Sequence, residues 1–290
     1  MSEGVKMLIS AIVALVGAPI VGGILSGIDR RFTARLQGRV GPPLIQPFYD
    51  LFKLFGKKGF VAHKLQILWV WGYLIMAMAA LVIFAVGQDL LMMVFVLGFG
   101  TICLVLAGFS VRSPYSYIGS QREMMQLLSY EPILILSVVA IYLKTGSFRV
   151  KEVLAYSQPL LVSLPLVFLA LLVALTIKMR KSPFDISTSH HAHQELVKGV
   201  TTEISGPYLA MVELTHWYEL ILVLALLSIF FAHPLWVGIL IALGCFLLEI
   251  VIDNATARLT WRWMVRISWA VGVGMVILNL AVIYLFKRGG

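Results

Sequence analysis

Seven titratable side chains interrupt stretches of this chain that are otherwise apolar: Glu131, Glu203, Glu213, His216, Glu219, Glu249 and Asp253. An ionised carboxylate in hydrocarbon costs at least ~2.5 kcal/mol even on permissive insertion scales, so each acid needs a partner, water or a proton. Glu131 stands between Tyr130 and Pro132, whereas Glu203, Glu213 and Glu219 follow one another along a single stretch with His216. Glu249 and Asp253 are one helical turn apart, and two such carboxyls, if close, hold a proton between them more readily than two charges. Proton movement through a dry interior requires a series of such groups, each able to accept and release a proton near neutral pH. Ion pairing with Arg258, Arg262 or Arg266, or contact with interfacial water, would explain any one of them but explains all six acids poorly.

A second concentration of polar chemistry is the segment Lys178 to Gly206, KMRKSPFDISTSHHAHQELVKGVTTEISG, which holds Asp185, His190, His191, His193 and Glu195. Imidazole is a common metal ligand, yet three histidines within four residues of a loop do not readily face one ion. No metal site is therefore assigned. A hydrogen-bonded interface with a soluble partner, responsive to pH because histidine titrates near neutrality, fits these residues better. A plain polar loop is the alternative.

The elements that position these groups are membrane helices. A mean hydropathy of +0.94 with 13% charged residues would leave a soluble protein coated in apolar surface. A helix crossing the ~30 Å hydrocarbon core needs about 20 apolar residues. Eight spans are expected, near 5–28, 67–86, 90–111, 125–143, 160–179, 204–232, 235–254 and 264–286, in one all-α transmembrane domain. The fourth has the shortest uninterrupted apolar run, Ile133 to Leu143. With eight spans, seventeen of the 23 lysines and arginines fall in one set of loops. The positive-inside bias makes that set cytoplasmic and puts both termini outside, in a cell membrane. The first span is too long, and lacks the small-residue site, for a cleaved signal peptide.

Basic residues in short loops beside helices follow from topology, so the net charge of +9 does not indicate nucleic acid. Cys103 and Cys245 both fall within apolar spans. Two cysteines cannot hold an iron–sulfur cluster or a nickel–iron centre, and a single histidine well inside a span does not make a membrane haem site. No cofactor is expected in this chain. Between the first two spans, Arg30, Arg31, Arg35 and Arg39 form a cationic patch suited to a partner's carboxylates or to anionic lipid. Pro42, Pro43 and Pro47 break any continuous helix there. Phe48, Leu51, Phe52 and Phe55 then recur at helical spacing, with Asp50 and Lys53 elsewhere, predicting an amphipathic helix on the membrane surface. Gly23 with Gly27, and Gly272 with Gly274, predict close helix approach.

Four motifs in order resemble the complex I subunit that anchors the peripheral arm. Asp29 to Lys58, with Arg30, Arg35, Gln37, Arg39, Gly41, Pro42, Gln46, Pro47, Asp50 and Lys53, resembles its first cytoplasmic loop. SPYSYIGSQREMMQLLSYEP, carrying Arg122, resembles the approach to its fourth helix; SPFD (Ser182 to Asp185) and ARLTWRWMVRISW (Ala257 to Trp269) resemble two further loops. In quinone-reducing members the residues after Pro-Phe-Asp are rich in glutamates. Here two acidic positions are absent and a histidine cluster stands instead, similar to the membrane anchor of energy-converting hydrogenases and of the related sulfur-reducing complexes.

The resemblance implies a multisubunit complex. Soluble iron–sulfur small and catalytic large subunits would carry the clusters and a nickel–iron or related site, antiporter-like membrane subunits would move ions, and this chain would couple the two through protonation of its acids. It implies docking through the arginine patch, Asp50, Lys53, Arg122, Asp185, the histidines and Glu195. A quinone-reducing complex I subunit, a proton-coupled secondary transporter and a passive scaffold are the other readings.

Overall fold

The computed structural model describes residues 3–60, 62–184, 187, 198–231 and 234–288. Among them every regular element is helical, and extended pairing is confined to two isolated bridges, Asp89 with Arg149 and Phe184 with Leu259. In chain order the helices are α1 (Glu3–Leu36), α2 (Gln46–Phe55), α3 (Lys64–Val86), α4 (Leu90–Phe109), α5 (Pro114–Thr145) and α6 (Val150–Leu154). They continue as α7 (Leu160–Ser163), α8 (Pro165–Lys178), α9 (Pro207–Ser228), α10 (Leu235–Ala255), α11 (Trp261–Ile267) and α12 (Gly274–Arg288). A π-helical segment, Ser268–Val273, joins the last two. Among the described residues, seven helices are long and apolar enough to cross a bilayer, with α11 and α12 counted as one, and α8 is a shorter apolar helix.

Differences from the expected spans have local causes. Helix α1 runs eight residues past position 28 because Arg30, Arg31, Ala34, Arg35 and Leu36 are good helix formers. Hydropathy marks where a helix leaves hydrocarbon, not where it ends. The fourth span, expected from 125, starts at Pro114, a residue suited to a first helical turn. The fifth, expected as one piece over 160–179, is divided at Leu164–Pro165, where the proline cannot donate to the preceding turn.

Helices α4, α5 and α9 sit centrally, with 61%, 56% and 67% of their most apolar windows buried, against 22% for α1. Glycine sets how near the others come. A Cβ on Gly27 would lie 1.9 Å from the Leu44 carbonyl oxygen, and one on Gly23 would lie 2.4 Å from the Phe48 ring. The chain between α1 and α2 therefore folds back directly onto α1. Gly272 meets Ile133 in the same way, whereas Gly274 faces open space. Cys103 is buried against Gly72.

Pro132 interrupts α5 and leaves the Leu128 carbonyl without its usual i+4 donor. The indole N–H of Trp269 donates to that carbonyl at 3.2 Å, and the Ser268 hydroxyl donates to the adjacent Ser129 carbonyl. Both donors are side chains of the π segment, which thus supplies partners to the α5 backbone beside Pro132, as hydrocarbon surroundings demand. Trp269→Phe keeps the ring and removes the donor. It should destabilise the fold by about 1–3 kcal/mol, measured by reversible detergent unfolding, while Trp236→Phe on the exposed face of α10 stays near wild type.

Candidate functional site

The polar interior is organised by three closely spaced cations at the end of α8. Lys178 closes the helix, and Arg180 takes the left-handed conformation (φ 56°), which a non-glycine residue adopts at a cost of ~1–2 kcal/mol. That turn sends Lys178, Arg180 and Lys181 in three directions, each to a carboxylate.

Lys178 Nζ donates to Glu219 Oε1 at 2.7 Å, with only 7% and 6% of the two side chains exposed. Tyr73 donates to the other Glu219 oxygen at 3.0 Å. Lys178 also donates to Thr101 Oγ1 at 3.3 Å, and that hydroxyl lies 2.9 Å from the Tyr130 hydroxyl. The ammonium sits 4.8 Å above the Tyr130 ring, a cation–π contact. One connected network thus ties α3, α4, α5, α8 and α9. Beyond it, Glu131 rests against α4, where a Cβ on Gly98 would lie 2.1 Å from its Oε1. Its buried Oε2 has no hydrogen-bond partner among the described residues.

Arg180 donates to Glu123 Oε1 at 3.1 Å, and the Ser187 hydroxyl donates to Glu123 Oε2. The first part of the polar loop is thereby fastened to α5. Lys181 bridges Asp29 Oδ1 at 2.6 Å and Asp253 Oδ2 at 3.2 Å, and the Ser182 amide donates to Asp253 Oδ1 at 2.8 Å. Both Asp253 oxygens are held by these donors, so this carboxylate is paired with Lys181 instead of sharing a proton with Glu249. Glu249 is 2% exposed beside Thr176, and its Oε2 is buried without a partner among the described residues.

A cavity of about 140 Å³ opens among α1, α8, α9 and α10, lined by Asp29, Lys178, Lys181, Glu213 and His216. A second of about 250 Å³ lies between α2 and α9, with Arg30, Asp50, Lys53 and Lys198 on its rim. Glu213 and Trp217 line both. His216 Nδ1 is 4.0 Å from Glu213 Oε2, and its ring meets Tyr73 edge-on at 6.0 Å. Polar groups therefore extend from the outer pocket through Glu213 and His216 to Lys178 and Glu219, and on toward Glu131.

The structure brings together Glu131, Glu213, His216 and Glu219 around Lys178, with Asp253 one ion pair away through Lys181. Glu203 belongs elsewhere: it precedes α9, half-buried in a pocket with His63 and Arg112. Its position immediately before the expected 204–232 span concealed this, because the helix starts only at Pro207. Arg30, Arg31, Arg35, Arg39 and Lys53 are exposed, and Arg122 is half-buried on α5. Asp185, His190, His191, His193 and Glu195 lie outside the described residues. Sequence reasoning missed Asp29, Tyr73, Thr101, Glu123 and Lys178 to Lys181 as site residues. The one available signal was three cations beside an apolar run, which topology explained too easily.

Arg30 and Asp50 pair at 2.5 Å across α1 and α2, both nearly half-exposed. Burial works against the Asp50 charge, but the Arg30 and Gln46 hydrogen bonds outweigh it and hold the carboxyl below its usual range. Its contribution is present above the unfolded carboxylate pKa and is lost as pH falls through the lowered folded value. Docking of α2, read from Trp217 fluorescence through its 5.3 Å edge contact with Phe48, should be flat between about pH 5 and 8 and weaken only in stronger acid. At the core pair, Lys178→Met strands a carboxylate and should cost about 3–5 kcal/mol in detergent unfolding, most of it regained in K178M/E219Q.

Helices long enough to cross a bilayer, enclosing a network of ionisable groups, define an integral membrane protein with a polar interior. The chain belongs to the NADH dehydrogenase family, whose model matches residues 8–284. It is 31% identical to hydrogenase-4 component C of Escherichia coli over 70% of this chain and 67% of that one. Identity to formate hydrogenlyase subunit 4 of the same organism is 29%, covering 93% and 95%. A subunit of the NADH-quinone oxidoreductase of Thermomicrobium roseum is 27% identical over 98% of both chains. Among solved structures, a chain of the membrane-bound sulfane sulfur reductase, an archaeal respiratory membrane complex, superposes with a TM-score of 0.85 at 24% identity, covering 96% and 99%. That likeness establishes the shared fold.

Proposed function

We propose that this chain is the membrane anchor and proton-coupling subunit of a multisubunit respiratory oxidoreductase of the energy-converting hydrogenase type. The observation that carries this reading is the run of ionisable groups from the pocket under α2, through Glu213 and His216, to Lys178, Glu219 and Glu131. The relatives that are components of hydrogenase-4 and formate hydrogenlyase support the branch. Cluster-bearing small and catalytic large subunits dock on the face that holds Arg30, Arg31, Arg35, Arg39, Lys53 and Arg122, and the resemblance implies Asp185, His190, His191, His193 and Glu195 as further docking residues. Antiporter-like subunits lie alongside in the cell membrane and receive the protons, with Glu249 and Asp253 as further acids on the route. Redox cofactors reside in the soluble partners.

In this arrangement α7 and α8 together make the eighth crossing. Helix α8 alone is about 21 Å long, less than the ~30 Å core, so the four residues of α7 and the bend between them complete the span. Helix α2 lies in the interface: Leu51 is buried against the bundle, while Phe52 and Phe55 are 68% and 42% exposed, positioned to enter the headgroup layer. Both termini then lie outside.

A quinone-reducing role is the second reading, favoured by the full-length match to the NADH-quinone oxidoreductase chain of Thermomicrobium roseum. Quinone-dependent turnover by the purified complex would select it. In the assembled complex, Glu131→Gln should leave partner subunits bound and electron transfer within about threefold of wild type, and reduce ion translocation per electron by at least about tenfold. Unchanged translocation removes Glu131 from the relay. Proteoliposomes holding this chain alone should show no proton-linked uptake; uptake without partners would assign it to the secondary transporters.

A further inference from the structure

Lys178 faces both halves of the polar interior. On one side it lines the cavity with Glu213 and His216; on the other its ammonium touches Thr101 on α4 and covers the Tyr130 ring. Thr101 and Gly98 are three residues apart on α4, hence neighbours on one face with a rise of about 4.5 Å between them. Gly98 is where the Glu131 carboxylate rests, in a niche that any side chain would fill. The ammonium and the unpartnered Glu131 oxygen therefore occupy adjacent turns of the same helix face. A lysine carries its charge on a flexible four-carbon stem, so this separation lies within the reach of a rotamer change.

We propose that Lys178 is a charge switch that pairs alternately with Glu219 and with Glu131, which makes proton transfer between the cavity and the interior acid one-way in each half-cycle. This rests on the relay function proposed above. In the arrangement observed, Lys178 is paired with Glu219; in the cycle, Glu131 holds a proton while Lys178 is there. When the ammonium crosses to Glu131, that acid gives its proton onward and becomes the paired carboxylate, while Glu219 takes a proton from the cavity side. On return, Glu219 passes its proton to Glu131 along the Tyr130 and Thr101 hydroxyls and is paired again. Lys178 stays an ammonium throughout, one proton enters at Glu219 for each that leaves at Glu131, and the buried charge always sums to zero. Keeping the charges matched avoids the several kcal/mol that an isolated buried ion costs.

The test is infrared difference spectroscopy on the wild-type complex between its oxidised and reduced states, with carboxyl bands assigned by E131Q and E219Q. The switch requires bands of opposite sign, one acid gaining a proton as the other loses it. Bands of the same sign, or no band at either residue, overturn it. The charge-swapped variant K178E/E219K supplies a second measurement, since it keeps one buried cation and one buried anion but roots the cation on α9. Assembly with ion translocation per electron reduced at least about tenfold supports the switch. Wild-type translocation would mean that the pair is purely structural and overturns it. If E131Q itself translocates normally, the relay reading fails; if E131Q is uncoupled yet the bands do not oppose, only the switch fails.

Discussion

The buried pair of Lys178 and Glu219 is the interaction on which the rest of the interior depends. Neither charge is tolerable alone in a low-dielectric setting, and together they are stable only with their remaining hydrogen-bonding capacity filled. Tyr73 and Thr101 do that, and the demand fixes where α3, α4, α8 and α9 stand relative to one another. The neighbouring cations extend the same logic. Arg180 secures the beginning of the polar loop through Glu123, and Lys181 joins the ends of α1 and α10 through Asp29 and Asp253. A four-residue stretch, Lys178 to Lys181, thereby cross-links most of the bundle.

Backbone irregularity is handled in the same spirit. Pro132 leaves a carbonyl of α5 without its helical donor, and side chains of the π segment at Ser268–Val273 supply donors there. Glu131 sits at that junction, one residue before the proline and opposite Gly98. A carboxyl oxygen with no partner among the described residues, a proline inside a helix and a π segment in one small region combine features that cost free energy separately. Such a concentration is the physical signature of a place where the protein does something other than stay folded.

Much of this was legible in the sequence. Apolar run lengths pointed to an all-helical membrane protein, because a bilayer demands about 20 such residues per crossing regardless of the neighbours. The surface amphipathicity of Phe48 to Phe55 produced the short helix, and Gly23 and Gly27 marked real close contacts. The acids at 131, 213 and 219 stood out because they were expensive where they stood. Glu203 lies four residues before α9, which hydropathy does not mark because Ile204 extends the apolar run past the helix start. The sequence places Asp253 one turn from Glu249, but its oxygens are held by Lys181 and Ser182.

By itself, then, the sequence determined the solvent, the number of long apolar helices to within one, and which costly residues needed explaining. All of these follow from local composition and from transfer free energies that do not depend on distant contacts. Tertiary structure alone decided which charge answers which. Lys178 and Glu219 are 41 residues apart, Lys181 and Asp29 are 152 apart, and their pairing arises from helix packing that brings remote carboxylates to one turn of backbone. The same cations that read as ordinary topology signals in the sequence proved to turn inward. The reason is that the end of α8 lies within reach of five other helices, and a left-handed turn at Arg180 distributes its charges among them.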